Sequence, residues 1–143
     1  MSVVGIGHRR LEGAEKVAGA TKFTADLELP GLLYVQLVLS HQASANIRSI
    51  DVDAARSAPG VIDIVTGADL PGVPAPSPEK PLAVGHVFYV GQPVVAVIAE
   101  SEAAAADAAA LVDVDYETLE ITVDPDLAMR EGARKVLDTE EEA

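Results

Sequence analysis

The side chains with the widest chemical range in this chain are three histidines, His8, His41 and His86, which could ligate a metal ion or transfer protons near neutral pH. They lie far apart in sequence and lack the short spacing of zinc or iron ligands. The chain has no cysteine, which excludes disulfides, iron–sulfur ligation and cysteine nucleophiles. We therefore expect structural or surface roles for the histidines, and no metal site.

Ser40, His41 and Asp51 are the residue types of a nucleophilic triad, but no GxSxG motif presents a serine. Gly5 and Gly7 begin like a dinucleotide-binding fingerprint. No strand is predicted before them, however, and no glycine stands three residues after Gly7. A GxxxxGK[ST] phosphate loop is also absent from the sequence. Neither acyl transfer nor nucleotide binding is indicated, and we expect no catalytic residue in this chain.

Carboxylates are abundant, and Asp113, Asp115 and Glu117 alternate at period two, so that on a strand they project from one face. General acid–base catalysis needs a carboxylate in a low-dielectric pocket, whereas this row is typical of a solvated strand face. Residues 100–143 hold 14 acids and 3 bases, and the whole chain has a formal charge of −13. This charge disfavours nucleic acid and anionic lipid as partners.

The length of 143 residues suits one domain with its own core. Hydrophobic residues make up 49% of the chain, but there are only two Phe, three Tyr and no Trp, so the core must be aliphatic. No stretch reaches the roughly 18 apolar residues of a membrane span, and no early apolar run follows a basic start. The sequence therefore predicts no membrane partner and a cytoplasmic location.

The first half of the chain shows strand patterns separated by turns. We predict a buried strand over Leu32–Ser40, because this run is almost continuously apolar and follows the turn Pro30-Gly31. A short extended piece at Asn46–Ile50 precedes a brief helix, capped by Asp51 or Asp53, that ends before Pro59-Gly60. Val61–Thr66 alternates and is rich in β-branched residues, which indicates a strand.

A proline-rich stretch, Pro71–Pro81, is predicted to be an extended surface loop because proline fixes φ and lacks a donor. The predicted elements that follow are two strands, Val87–Val90 and Pro93–Ala99, meeting at a tight turn at Gly91-Gln92; a helix from Ser101 to about Leu111; strand pieces at Val112–Tyr116 and Leu119–Val123; and a short helix from Pro125 to about Glu131. This order predicts a small α/β (mixed α+β) domain with one mixed sheet and two to three short helices.

Several strings, taken in order, resemble the opening of the large subunit of molybdenum hydroxylases, the xanthine dehydrogenase, aldehyde oxidase and aerobic carbon monoxide dehydrogenase family. The strings that carry the resemblance are KVAGA at 16–20, FTAD at 23–26, LPGLLY at 29–34, VTGADL at 65–70, VGQPV at 90–94 and VDVDYE at 112–117. No single string is decisive, but their order across residues 16–128 matches the family.

The resemblance implies an α/β-hammerhead domain over residues 16–130, preceded by an N-terminal extension (1–15) and followed by an acidic tail (131–143). In the family, the molybdopterin-binding portion that follows this domain carries the substrate pocket and the cofactor contacts. The resemblance therefore implies no catalytic, cofactor-binding or metal residue here. It implies molybdopterin, 2Fe-2S and FAD for the complete complex, whose partners are a molybdopterin-binding portion or subunit and FAD and iron–sulfur subunits.

We expect such a domain to act by docking, through the turn formed by Tyr89, Gly91, Gln92 and Pro93. Apolar strands on both sides should hold this turn rigid, and a rigid turn loses little entropy on association. A free-standing carrier or ligand-binding module is the alternative, although Lys16, Lys22 and Lys80 are not at predicted hairpin tips. An independent small enzyme that uses a histidine with acids is a third possibility.

Overall fold

The computed structural model describes residues 4–5, 7, 9–71 and 78–136. Part of the predicted proline loop (72–77), His8 and the acidic end (137–143) lie outside the described residues. The chain divides into two compact units, residues 1–32 and 33–143. This division falls inside the range 16–130 assigned from the sequence, and the assigned boundaries stay a prediction.

The first unit contains one short helix, α1 (Gly13–Val17), and a 3-10 turn at Thr24–Asp26. Around α1, the Lys16 ammonium lies 3.4 Å from the Glu12 carboxylate, one helical turn away. None of the residues of α1 is buried. An isolated helix of this length is marginal in water, so α1 contributes little stability by itself.

The second unit contains the strands and the other helices. They follow the order β1 (Tyr34–Leu39), β2 (Ala45–Asp51), α2 (Asp53–Arg56), β3 (Val61–Thr66), β4 (His86–Val87), β5 (Pro93–Ala99), α3 (Glu102–Ala109), β6 (Asp113–Thr118) and α4 (Pro125–Ala128). The predicted α/β class is confirmed. None of the described helices is long and apolar enough to cross a membrane.

The strands form two three-stranded sheets, with orders β1-β5-β3 and β4-β2-β6. Each strand pair is antiparallel. The single mixed sheet of the sequence prediction is therefore corrected to two antiparallel sheets. Val87–Val90 and Pro93–Ala99 were expected to meet at a tight turn, but β4 and β5 belong to different sheets, so the loop between them carries the chain from one sheet to the other.

The core gathers around β5, the central strand of its sheet. Val94, Val95, Val97 and Ala99 are fully buried, and Ile64 of β3 is 3% exposed. The core cluster also takes in residues of the other sheet and of two helices: Ala45, Val87, Ala55 and Ala108. These side chains are small and aliphatic, as the scarcity of aromatic residues predicts.

Helix α3 begins where the sequence indicates, because the Ser101 hydroxyl accepts a hydrogen bond from the backbone N–H of Ala104 (3.2 Å). Its alanines Ala105 and Ala108 are buried. Alanine side chains let a helix backbone lie close to a sheet, and α3 packs on β1, β5 and β3.

Strand β1 corrects a second prediction. The run Leu32–Ser40 was expected to be buried, but β1 lies at the edge of its sheet, and its residues are exposed except for the half-buried Val38. The other corrections are small: no strand forms over residues 119–123, and α4 ends at Ala128. The prediction that this apolar run forms a strand is therefore confirmed, and the prediction that the strand is buried is wrong.

Candidate docking surface

The loop from Phe88 to Gln92 connects the two sheets and is held by a set of short hydrogen bonds. The Gly91 N–H donates to the Ser40 carbonyl (2.7 Å), and the Ser40 N–H donates to the Gln92 carbonyl (2.8 Å). Ser40 follows β1 and is itself buried. Gly91 has a φ of +89°, a conformation that favours glycine. The loop is therefore fixed to the end of β1, which supports the expectation of a rigid turn.

Gln92 is the internal support of this loop. Its side chain is fully buried, and its amide oxygen accepts a hydrogen bond from the Phe88 N–H at 2.7 Å. The amide nitrogen has no partner among the described residues. Gln92 was expected to be part of the docking turn, but its burial gives it a positioning role, because it holds the loop that displays Tyr89.

The exposed part of the loop is apolar. Tyr89 is 44% exposed and Val90 is 64% exposed, whereas Gly91 and Pro93 are half-buried. Of the four residues predicted to form the docking turn, Tyr89 is therefore the one that presents a large side chain to solvent. Val90, which the sequence analysis did not single out, presents a second.

A cleft of about 220 Å³ lies beside this loop. Phe88, Tyr89 and Val90 form one wall. The other lining residues come from the segment before β2 and from two stretches near the end of the described chain: Ala43, Ser44, Glu120, Ile121, Thr122, Val123, Arg134, Lys135 and Val136. The cleft is smaller than the roughly 300–1,000 Å³ of typical small-molecule sites, and it is of a size to receive one or two side chains.

Arg134 links two of the segments that line the cleft opposite the loop. One guanidinium nitrogen donates to the Glu120 carbonyl (2.9 Å) and to the Ser44 hydroxyl (3.2 Å). This long-range contact joins residues 90 positions apart, and nothing in the local sequence marks it. It holds the segment that contains Glu120 close to Ser44, just before β2.

His41 and His86 each pack against an aromatic ring. The His86 ring packs edge-on against Phe88 with centroids 4.4 Å apart, and its Nδ1 lies 3.1 Å from the Asn46 side-chain oxygen. Burial, and then the positive charge of Arg134, lower the pKa of His86, which favours the neutral ring at neutral pH. His41 packs edge-on against Tyr116 at 5.1 Å, and burial raises the pKa of the Tyr116 hydroxyl.

The other candidate chemical groups do not form a reaction centre. The Ser40 hydroxyl exchanges hydrogen bonds with the Gln42 backbone, and Asp51 accepts from the Asp53 N–H. Asp113, Asp115 and Glu117 are exposed on β6, with Glu117 paired to Arg48 at 3.0 Å. Within residues 4–5, 7, 9–71 and 78–136, no group of three His, Asp or Glu side chains is placed to hold a metal ion.

Loss of the Gln92 side-chain bond should weaken the fold. We expect Gln92→Leu to lower the free energy of unfolding by about 1 kcal/mol, because the similar-sized side chain leaves the Phe88 N–H without an acceptor and removal of the unpaired amide nitrogen offsets only part of this cost. Tyr89→Ala, at an exposed position of the same loop, should change it by less than about 0.5 kcal/mol. Urea unfolding followed by circular dichroism measures both. Equal stabilities for Gln92→Leu and the unsubstituted chain would contradict the positioning role.

These features define a class: a small α/β domain with a rigid apolar loop, a shallow cleft and no cluster of catalytic groups among the described residues. Residues 18–120 match the family described as the aldehyde oxidase and xanthine dehydrogenase a/b hammerhead domain. The chain belongs to this family, which confirms the resemblance found in the sequence.

Two relatives and one solved structure show how much of a longer protein the chain represents. It is 36% identical to the carbon monoxide dehydrogenase large chain of Afipia carboxidovorans, covering 91% of this chain and 17% of that protein. It is 30% identical to the xanthine dehydrogenase molybdenum-binding subunit of Escherichia coli O157:H7, covering 89% and 19%. CO dehydrogenase from Oligotropha carboxidovorans superposes with a TM-score of 0.82 at 37% identity, covering 90% and 17%. The chain therefore spans about a sixth to a fifth of these relatives.

Proposed function

We propose that this chain is a structural and docking domain of a molybdenum hydroxylase large subunit and turns over no substrate alone. The observation that carries the proposal is the family match over residues 18–120, together with a span of only 17% of the carbon monoxide dehydrogenase large chain. A domain of this size adds a surface to a larger protein. The proposal includes a cytoplasmic location and the boundaries 16–130 for the domain.

The described residues do not suit the cofactors that the family implies. A 2Fe-2S cluster needs thiolate ligands, and the chain contains no cysteine. The cleft of about 220 Å³ is smaller than the roughly 300–1,000 Å³ of typical small-molecule sites. We assign molybdopterin, 2Fe-2S and FAD to the other parts of the complete complex, which are the partners of this chain: a molybdopterin-binding portion or subunit, with FAD and iron–sulfur subunits.

The loop Phe88–Gln92 is the part of the proposed docking surface with the clearest physical basis. Its backbone is fixed by bonds to Ser40, and the buried Gln92 supports it from inside. Little conformational entropy is then lost when a partner packs on Tyr89 and Val90. Tyrosine is enriched among residues that dominate binding energy, because it offers a large contact area and a polar tip.

The test uses this chain together with the carbon monoxide dehydrogenase large chain of Afipia carboxidovorans from which the matching segment has been deleted, here called the large-chain remainder. We expect the two purified proteins to associate in isothermal titration calorimetry. We expect Tyr89→Ala to weaken association about tenfold, since truncation of a central aromatic residue commonly costs about 1–2 kcal/mol.

Leu111→Ala is the matched control, because Leu111 is similarly exposed (49%) but does not line the cleft. It should leave the affinity within twofold. A second readout is substrate-dependent dye reduction, which the isolated chain should not support with aldehydes, purines or carbon monoxide. Turnover by the pure chain, or no association with the large-chain remainder, contradicts the proposed function.

A further inference from the structure

The sheet β1-β5-β3 has two faces of very different burial. The strand register places one set of side chains together on the face opposite Val95, Val97 and Ala99; we call this set the outer face. It consists of Val35, Ile98 and Asp63 in one row and Leu37, Ala96 and Val65 in the next. Five of these six side chains are apolar, so the outer face is an aliphatic surface with one carboxylate.

The opposite face is covered and the outer face is not. Val95, Val97 and Ala99 are fully buried in the core. On the outer face, Val35 is 59% exposed and Leu37 is 41% exposed, and the central residues Ala96 and Ile98 are only half-buried. Adjoining exposed apolar side chains on a sheet face offer a surface on which another protein segment can pack.

The outer face is too small to form a stable contact by itself. Three strands about 4.8 Å apart and five residues of about 3.3 Å each give roughly 250 Å². A stable dimer buries about 800 Å² per partner. A patch this small is covered stably only when its partner segment is already held nearby in the same assembly. The high effective concentration of that segment then compensates for the small contact area.

The net charge of the chain argues against a second copy of this chain as the partner that covers the outer face. Residues 1–32 hold four acids and four bases, so the whole net charge of −13 falls on residues 33–143, the unit that contains this sheet. Asp63 lies on the outer face and pairs with the Arg56 guanidinium at 3.6 Å, whereas the exposed Glu100 follows directly after β5. Two copies would repel each other, whereas a surface with lysine or arginine at its rim would be attracted.

We propose that the outer face of this sheet is a second docking surface, covered by an aliphatic surface with a basic rim that belongs to the remainder of the large subunit. This inference rests on the proposed function and assigns a contact separate from the loop Phe88–Gln92. Val35, Leu37 and Ile98 supply the apolar contact. Glu100 and the net negative charge of residues 33–143 favour a basic rim on the partner.

The first experiment identifies the occupant directly. The photo-crosslinker p-benzoylphenylalanine at position 37 should crosslink to the large-chain remainder when the two proteins are mixed and irradiated, and mass spectrometry should locate the crosslink in an apolar segment of the remainder. Crosslinks to residues 1–32 of the same chain, or to a second copy of this chain, would overturn the inference, because another occupant then holds the outer face.

The second experiment measures affinity by calorimetry. Leu37→Lys and Val35→Lys should each weaken association with the large-chain remainder at least tenfold, since either places a charge in the contact. Gln36→Lys, on the same strand but in register with the inward-facing Val97, should change it less than twofold. Val35 is the more exposed position, so its variant tests the surface even if Leu37→Lys is unstable; thermal melting checks both.

The outcomes separate this inference from the proposed function. If the unsubstituted chain fails to bind the large-chain remainder, the proposed docking function is wrong, and the proposal that the outer face is a docking surface is wrong as well. If the chain binds, and Tyr89→Ala weakens binding while both lysine variants bind normally, the loop is the docking surface and the outer face is not. Weakened binding by folded lysine variants, with the expected crosslink, supports the inference.

Discussion

Val97→Asp is expected to unfold the second unit. Val97 lies in the middle of the central strand β5, is fully buried, and pairs with Gln36 on one side and Ile64 on the other. An unpaired carboxylate at this position costs several kcal/mol, either as a buried charge or as a neutralised group without hydrogen-bond partners. That cost is comparable with the whole stability of a small domain, about 5–15 kcal/mol.

The measurement is urea unfolding followed by far-ultraviolet circular dichroism, with Val95→Asp as a second core variant. Val35→Asp is the matched control, since it introduces the same carboxylate on neighbouring β1 at a site 59% exposed. The control should unfold within about 1 kcal/mol of the unsubstituted chain. A cooperative transition of Val97→Asp close to that of the control would show that β5 is not the core strand.

Gly67→Val should be the next most damaging change. Gly67 is buried directly after β3, and a Cβ atom there would lie 2.5 Å from the Ala83 carbonyl oxygen and 2.6 Å from a methyl group of Val84. Because one of these neighbours is backbone, the chain itself must move. We expect a loss of about 3 kcal/mol in the free energy of unfolding, typical of severe overpacking.

Gly13 provides the comparison for this prediction. A Cβ at Gly13 has only an ordinary contact, 3.4 Å from the Arg10 Cβ, and the residue lies in helix α1. Gly13→Ala should therefore leave the stability unchanged or raise it slightly, since alanine favours helices over glycine. If Gly67→Val is as stable as Gly13→Ala, the close approach of residues 67 and 83 does not exist in solution.

Local sequence signals predicted the positions of the helices and strands well, because interactions between residues close in sequence determine these elements. The β-branched run Val61–Thr66 forms β3, and Ser101 caps α3 as its hydroxyl and position suggest. The pairing of strands depends on contacts between distant residues and was not predictable. Gly91 does form a turn, but the hydrogen bonds from that turn go to Ser40, about 50 residues earlier, so the chain passes between sheets instead of folding back as a hairpin.

Burial was predicted less well than secondary structure. The apolar composition of Leu32–Ser40 predicts a strand, and it does not indicate whether another segment of the chain covers its side chains. Gln92 shows the opposite case, because a polar side chain in a predicted surface turn is buried to satisfy the Phe88 N–H. Neither outcome has a signal in the local sequence, since both depend on which distant segments come together.

The position of β5 between β1 and β3 has a consequence for how the protein is made. Tyr34 pairs with Ala99 and Leu39 with Pro93, so β1 leaves the ribosome well before its partner strand. At about 5–20 residues per second, this interval lasts roughly 3–12 s. During it the nascent chain carries an uncharged, proline-free strand, YVQLVL, which is a sequence prone to pair with other chains. Synthesis of this domain therefore passes through a period in which protection by chaperones has its greatest effect.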